Sequence, residues 1–238
     1  MRVRSHSISR SVAAGTSDAT AGLPRVGDYQ QTDWEKIAGL RPALMVIQVA
    51  PSRLPAGFVQ RTNSMGIRLV NVQINRLDDV FSTSLKLGEA IDEDEFARQL
   101  NLRIRSTLDE VERRVAKFPR QRVLLCRDET AVYVVGRDNF VDDLLTIAGG
   151  ENVIRGDNPW PSIDPEKLVA LDPDVIIQLL PDAPQQVLDR AKQTWATMAQ
   201  LRAVKSGRVH VVTDWYALQP GARVGDLAET FAKLIHAP

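Results

Sequence analysis

Between Asp92 and Phe118 the apolar positions fall at Phe96, Leu100, Ile104, Leu108, Val111, Val115 and Phe118, in steps of four and three. That spacing keeps one stripe of an α-helix apolar and predicts a helix across the whole stretch. Asp92 stands where a cap belongs, Glu95 completes a capping box three residues later, and Pro119 stops the helix. Asp94/Arg98, Asp109/Arg113 and Glu110/Arg114 are spaced as i,i+4 pairs on the wet face. At 1.5 Å per residue such a helix runs roughly 35–40 Å, about the span of a small domain. It is either a strut between two lobes or an ordinary long packing helix, and its own sequence does not choose between them.

A second pattern occurs twice. Asp33, Glu35, Lys36, Leu40 and Pro42 recur as Asp164, Glu166, Lys167, Leu171 and Pro173, each 131 residues later (164 minus 33). Both copies have one grammar: an acidic cap opens a short helix, an x-Pro step ends it at Arg41-Pro42 or Asp172-Pro173, and a continuous apolar run follows. The runs Leu44–Val49 and Val175–Leu180 predict strands buried on both faces of a parallel sheet. After each comes a helical segment (Leu54–Ser64; from Pro184 through Ala191) and a β-rich run (Ile67–Val72; Arg208–Val212). Alternation of this kind predicts a doubly wound α/β lobe, and two copies predict two lobes. A helix over Asp78–Ala90 pausing at Gly88, strands at Arg122–Cys126 and Ala131–Val135, a helix over Asn139–Ile147 stopped by Gly149-Gly150, and a closing helix over Val224–Ile235 complete the expectation.

The resulting division is a flexible lead-in over 1–22, a first lobe over 23–77, linking helices over 78–119 and a second lobe over 120–238. The first lobe is the shorter and is expected to be incomplete at its start by one strand-helix unit.

Composition excludes several classes. Thirty basic residues balance thirty acidic ones, so no positive field marks a nucleic-acid partner. No apolar run approaches the ~20 residues of a bilayer span. Cys126 is the only cysteine and His6, His210 and His236 lie far apart, which argues against an internal disulfide and against zinc-ligand spacing. No P-loop, Gly-x-Ser-x-Gly or His-Glu pair is present, and Gly149-Gly150 follows a helix instead of a strand, so no catalytic or metal residue is assigned.

Seven segments then appear in order: Pro24-Arg-Val-Gly-Asp-Tyr29, Val135-Gly-Arg-Asp-Asn-Phe140, Ala148-Gly-Gly-Glu-Asn-Val153, Pro159-Trp-Pro161, Leu171-Asp-Pro-Asp-Val-Ile-Ile177, Ala203-Val-Lys-Ser-Gly-Arg-Val209, and Thr213-Asp-Trp-Tyr216 with Pro220-Gly-Ala-Arg223. Together, from about residue 22 to the end, they resemble the periplasmic solute-binding proteins of ABC importers for vitamin B12, ferric siderophores and haem, with the Trp-Pro, Asp-Trp-Tyr and Gly-Gly-Glu-Asn blocks closest to the vitamin B12 branch. The resemblance implies two α/β lobes joined by a long helix, ligand in the cleft between them, and an extracytoplasmic location. It also implies a signal peptide, a first strand-helix unit and a Tyr-Pro-Pro segment. Ser5–Ser11 stands about where that last segment belongs, and Met1–Arg10 lacks the apolar core of an export signal, which leaves a start codon upstream of Met1, the favoured reading, or a shortened paralogue with an incomplete first lobe.

By the same resemblance Tyr29, Trp160 and Trp215, with Tyr216 beside the last, line the cleft. Three rings burying ~150–250 Å² each offer on the order of 10 kcal/mol gross before association costs. Arg223 is a candidate for anionic groups on the ligand. Arg127 is a weaker one, standing where the vitamin B12 branch carries an aromatic. Glu35 and Glu166, near the starts of the two repeated helices, suit the positive helix end and, by the resemblance, dock onto arginines of the two permease subunits. The expected function is capture of a corrinoid, with a ferric siderophore or haem as the alternative ligand. There is no cofactor beyond that ligand, and the chain acts as a monomer that meets the membrane only through the permease dimer. From another class, the alternative is a cytoplasmic α/β enzyme on the same fold. A helix of this length limits the two lobes to a modest hinge closure.

Overall fold

Each copy of the repeat folds as a capped helix feeding a strand. The structure, a computed structural model, describes residues 23–27 and 31–236; the lead-in over 1–22 and Tyr29 lie outside the described residues. Helix α1 (Trp34–Leu40) is capped by the Asp33 side chain, which accepts from the Lys36 amide at 3.0 Å. It ends at Arg41 in a left-handed conformation, φ 46°. Strand β1 (Leu44–Ile47) follows, then a 3₁₀ turn at Pro51–Arg53, helix α2 (Phe58–Ser64) and strand β2 (Arg68–Asn71). The two strands pair in parallel, Leu44 opposite Arg68. Val26, Ile37, Met45, Phe58 and Ile67 form their core, and Trp34 meets Phe58 edge-on at 4.9 Å. Burial of β1 on both faces does not hold: Met45 is buried but its neighbour Val46 is exposed. Successive side chains of a strand point to opposite faces, and among the described residues the helices cover only one of them.

Helix α3 (Leu77–Ala90) and helix α4 (Asp94–Val115) carry the chain from the first sheet to the second. Gly88 does not pause α3. It is buried where the two helices cross, and a Cβ there would stand 2.6 Å from the Ala97 Cβ and 3.0 Å from the Glu93 carbonyl oxygen. The start of α4 also differs from expectation. Asp92 has φ 60°, so Glu93 takes the N-cap without a side-chain bond, and Glu95 receives Arg98 and Gln99 instead of closing a capping box. The buried stripe is Ala97, Asn101, Ile104, Leu108, Val111 and Val115, while Phe96 and Phe118 at the two ends are exposed. The first two turns are rotated onto a small face because α3 approaches closely through Gly88.

The second sheet is built from β3 (Gln121–Cys126), β4 (Gly150–Asn152), β5 (Val175–Leu179) and β6 (Val209–Val212), all parallel in the order β4-β3-β5-β6. Helices α5 (Phe140–Ile147), α6 (Pro165–Leu171), α7 (Gln185–Ala196), α8 (Arg202–Lys205) and α9 (Val224–His236) surround it. Every residue of β5 is buried, as its apolar run requires. One face packs under α3, α4, α5 and α9 through Ile104, Leu108, Val111, Leu144 and Phe231. The other packs on Leu168, Trp195, Leu201 and Ala203. Asp164 caps α6 from 2.7 Å and Asp172 ends it with φ 36°, repeating α1. Ala131–Val135 is not a regular strand: it pairs through the isolated bridges Cys126–Val134 and Tyr133–Ser162, and Gly150 opens β4 directly after the helix stop.

Candidate functional site

In an open parallel sheet, ligands gather at the carboxyl ends of the strands where the connections diverge. Here β3 connects outward to β4 while β5 connects the other way to β6, so the switch point lies between β3 and β5. The loops after those strands carry the polar and aromatic side chains of the site.

After β3 the chain doubles into a ledge. Residues 132–136 run beside 159–163 with Val134 N–H donating to the Pro161 oxygen (3.0 Å), Gly136 N–H to Pro159 (2.9 Å) and Ile163 N–H to Val132 (2.9 Å). Gly136 permits this approach, since a Cβ would stand 2.1 Å from the Asn158 carbonyl oxygen. Asn139 donates to both the Gly136 and Pro159 oxygens and caps α5 with its own oxygen. From below, buried Gln178 on β5 donates to the Asp128 carbonyl (2.6 Å) and accepts from the Trp195 indole (3.0 Å). Asp128 in turn accepts from the Tyr133 amide (3.1 Å). The ledge is thus fixed by buried bonds while its rings stay open: Trp160 is 38% and Tyr133 49% exposed.

Arg127 lies across these two rings, its guanidinium carbon 5.2 Å from the Tyr133 centroid and 5.6 Å from that of Trp160. Its Nε is buried and has no hydrogen-bond partner among the described residues. The carboxylates beside it are engaged elsewhere, Asp128 with Thr130 and Tyr133, and Glu129 with Arg190 at 2.8 and 3.0 Å.

The loop after β6 carries Trp215 and Tyr216, two strand spacings or about 10 Å along the same edge. Trp215 is 40% exposed and meets Tyr216 edge-on at 5.7 Å. Tyr216 packs on the core, and burial raises its phenol above the ordinary value, with Asp214 adding to the effect. Arg223 sits over Tyr216 at 5.6 Å but is engaged with Asp226 at 3.1 Å. Of the residues singled out from the sequence, Trp160, Trp215 and Tyr216 lie in loops of the second sheet; Tyr133 and Gln178 were not among them, and Arg223, ranked above Arg127, is paired with Asp226 whereas Arg127 has no charge partner among the described residues. Glu35 and Glu166 lie in the first turns of α1 and α6, both exposed.

The first sheet reaches this edge through a short path. Four residues beyond β2, the Asn75 oxygen accepts from the Phe140 amide (2.8 Å). Arg76 donates twice to Asp143 (3.0 and 2.6 Å) and once to Asp138 (2.6 Å). Phe140 follows Asn139, the residue that holds Pro159 beside Trp160. The carboxyl end of β2 and the aromatic ledge therefore meet at one crossing. Among the described residues no three His, Cys, Asp or Glu side chains converge as a metal site, and no helix is long and apolar enough to cross a membrane.

Comparison with known proteins agrees with this architecture. The profile of a family described as "Periplasmic binding protein" matches residues 6–215. A vitamin B12-binding protein of Vibrio vulnificus is 23% identical over 153 residues, 64% of this chain and 55% of that protein, so the chain spans about half the length of this curated relative. Among solved structures, an ABC transporter substrate-binding protein of Listeria monocytogenes superposes with TM-score 0.77 at 22% identity, covering 96% of this chain and 90% of that one. A periplasmic haem-binding protein of Pseudomonas aeruginosa gives 0.77 at 23% identity, covering 92% and 80%.

Proposed function

Because the chain belongs to the periplasmic binding protein family, we propose that it is the substrate-binding component of an ABC importer, working outside the cytoplasmic membrane and catalysing no reaction. The observation that carries this is the rigid aromatic ledge at the switch point, with Trp160 and Tyr133 held half-open by bonds from beneath. Exposed rings on a fixed backbone favour a flat, bulky ligand, because they bury large area at small ordering cost. A tetrapyrrole chelate fits that description, with a corrinoid the expectation from the sequence pattern and haem its nearest competitor. Trp215 forms the far wall. The division at 23–77, 78–119 and 120–238 belongs to the same proposal, as does Tyr29 on the facing lobe.

Glu35 and Glu166 are proposed to meet basic residues of the two permease subunits. Twin acids on equivalent helices suit a two-fold partner, and exposed charges of this kind set docking register and association rate more than affinity.

The test is retention of colour. Purified protein mixed with cyanocobalamin, haemin or a ferric tricatecholate and then gel-filtered should keep one chromophore. Trp160→Ala and Trp215→Ala should each weaken retention about tenfold, the loss of roughly 1.4 kcal/mol. Glu35→Ala with Glu166→Ala should keep the chromophore yet lose uptake in vesicles carrying the permease. Colourless protein from all three mixtures would overturn the transport reading, and normal uptake by the glutamate variant would overturn the docking assignment.

A further inference from the structure

The second sheet has a cavity at the end opposite the ledge, where its strands begin. About 540 Å³ is enclosed by the turn after α4, the first residue of β3, the start of β6 and the end of α9, room enough for a small organic molecule. His210 in this cavity and Trp215 at the cleft edge lie at opposite ends of β6, roughly 15 Å apart along the chain. The cavity has two chemistries. Phe118, 42% exposed, and Leu234 give it an apolar wall, whereas Gln121, Arg208, His210 and His236 supply its polar atoms. No carboxylate lines it among the described residues. Arg208 donates to the Gln121 side-chain oxygen (3.1 Å) and to the Ile235 carbonyl, which leaves the other donors of its guanidinium without a partner among the described residues. The buried Nε2 of His210 is likewise unmet, while His236 stacks on Phe118 at 4.9 Å and spends its Nε2 on the Ala148 oxygen at 3.0 Å. Lys117, 5.2 Å over the Phe118 ring, adds a further cation. A buried polar atom left unmet carries a desolvation cost that an arriving partner removes, and a concave site lined by one sign of charge concentrates the opposite ion.

We propose that this cavity is a second small-molecule site, separate from the cleft, for a small carboxylate with an aromatic body: Arg208 and His210 take the carboxylate, and the wall of Phe118 and Leu234 takes the ring. Neither half of the cavity suffices alone, since a free inorganic anion leaves the wall wet and a neutral ring leaves the cations unmatched. The imidazoles make the site sensitive to acid. Burial, with Arg208 adding to it, holds both below their ordinary 6.5, and Arg208 is the one charged side chain that acts on either among the described residues. Both rings are therefore neutral above that value and charge as pH falls beneath it, so a bound carboxylate gains partners on the acid side.

The experiment titrates the isotopically labelled full chain with 2-naphthoate, which has ring and charge, with 2-naphthamide, which has the ring alone, and with inorganic phosphate, which has the charge alone. Imidazole, Gly207 amide and tryptophan indole signals are followed by NMR. 2-Naphthoate should shift His210, His236 and Gly207 saturably and leave the Trp160 and Trp215 indoles in place, and the other two probes should bind at least tenfold more weakly. Arg208→Gln should weaken 2-naphthoate at least tenfold. Phe118→Ala, at an exposed position, should weaken it severalfold and gives the reading if Arg208→Gln fails to fold. Wild-type affinity should rise about tenfold from about pH 7.5 to about pH 5.5, and His210→Gln with His236→Gln should remove that rise. Equal binding of acid and amide, or affinity untouched by Arg208→Gln, would overturn the charge assignment; equal binding of phosphate, or affinity untouched by Phe118→Ala, would overturn the apolar wall. Shifts that do not saturate, or that fall on the Trp160 and Trp215 indoles alone, would overturn the site.

Discussion

Buried polar side chains decide the chemistry of this molecule residue by residue. Gln178 sits inside an apolar strand, yet both ends of its amide are used, one on the Asp128 carbonyl and one on the Trp195 indole. A buried amide is tolerated only when its bonds are made, and here those bonds are what hold the ledge. The two described histidines follow the opposite logic. His210 has a buried Nε2 without a partner among the described residues, and His236 meets the Ala148 oxygen at 3.0 Å while stacking on Phe118 at 4.9 Å. Burial lowers both below their ordinary value of 6.5, and Arg208 adds to the effect. The folded state then binds protons less readily than the unfolded one. Stability from this source is full above 6.5 and is lost as pH falls below it, until the folded imidazoles also charge. The melting temperature should therefore drop between about pH 7.5 and about pH 5, and His210→Gln with His236→Gln should shrink that drop. An equal drop in the double variant would assign it to other groups.

At the scale of elements, the crossing of α3 and α4 depends on a missing side chain. Gly88 lies within a helix, where alanine would ordinarily gain about 0.5–1 kcal/mol. Here the added methyl would stand 2.6 Å from the Ala97 Cβ and 3.0 Å from the Glu93 oxygen. Overpacking of this kind costs about 1–3 kcal/mol, so Gly88→Ala should lower the denaturant midpoint despite its better helix propensity. Removing the opposing methyl with Ala97→Gly in the same chain should recover part of the loss, and additive losses would place the strain elsewhere. The duplicated helices show the complementary case, in which a local signal survives folding intact. Asp33 and Asp164 cap α1 and α6 in the same way, and both helices close through a left-handed residue ahead of proline.

Across the whole molecule, the lobes are joined by two kinds of contact. On one side Lys86 of α3 donates to the Asn71 oxygen (2.7 Å), tying the first sheet to the linking helices, while α4 is sunk into the core of the second. On the other, the Asn75–Leu77 segment is clamped to the start of α5 by the fork of Arg76 on Asp143 and by the Leu77 amide on the same carboxylate (2.9 Å). Arg76 is itself half-exposed, so the pair adds little to global stability. Its role is to fix where the two lobes cross. Arg76→Ala should accelerate amide exchange at Leu77 and Phe140 about tenfold or more while leaving exchange in β5 unchanged. Unchanged exchange at Leu77 and Phe140 would show that the helices alone set the geometry.

Periodicity, caps and the duplicated segment were enough to determine the α/β class, two parallel sheets and the long connecting helix, because each is written in neighbouring residues, whereas Trp160, Trp215 and Tyr216 were singled out only by the resemblance to a family. Tertiary structure alone decided the rest. Arg127 is drawn against Trp160, 33 residues away, only because the 132–136 and 159–163 segments zip together. Gln178 reads as part of an apolar strand until Asp128 and Trp195 are brought to its two ends. The pairing of Arg223 with Asp226, and the lack of a charge partner for Arg127 among the described residues, are likewise invisible in composition. Local patterns specify which face of an element is buried, whereas the partner of a charge depends on strand order and chain crossings, which form only when the whole chain closes.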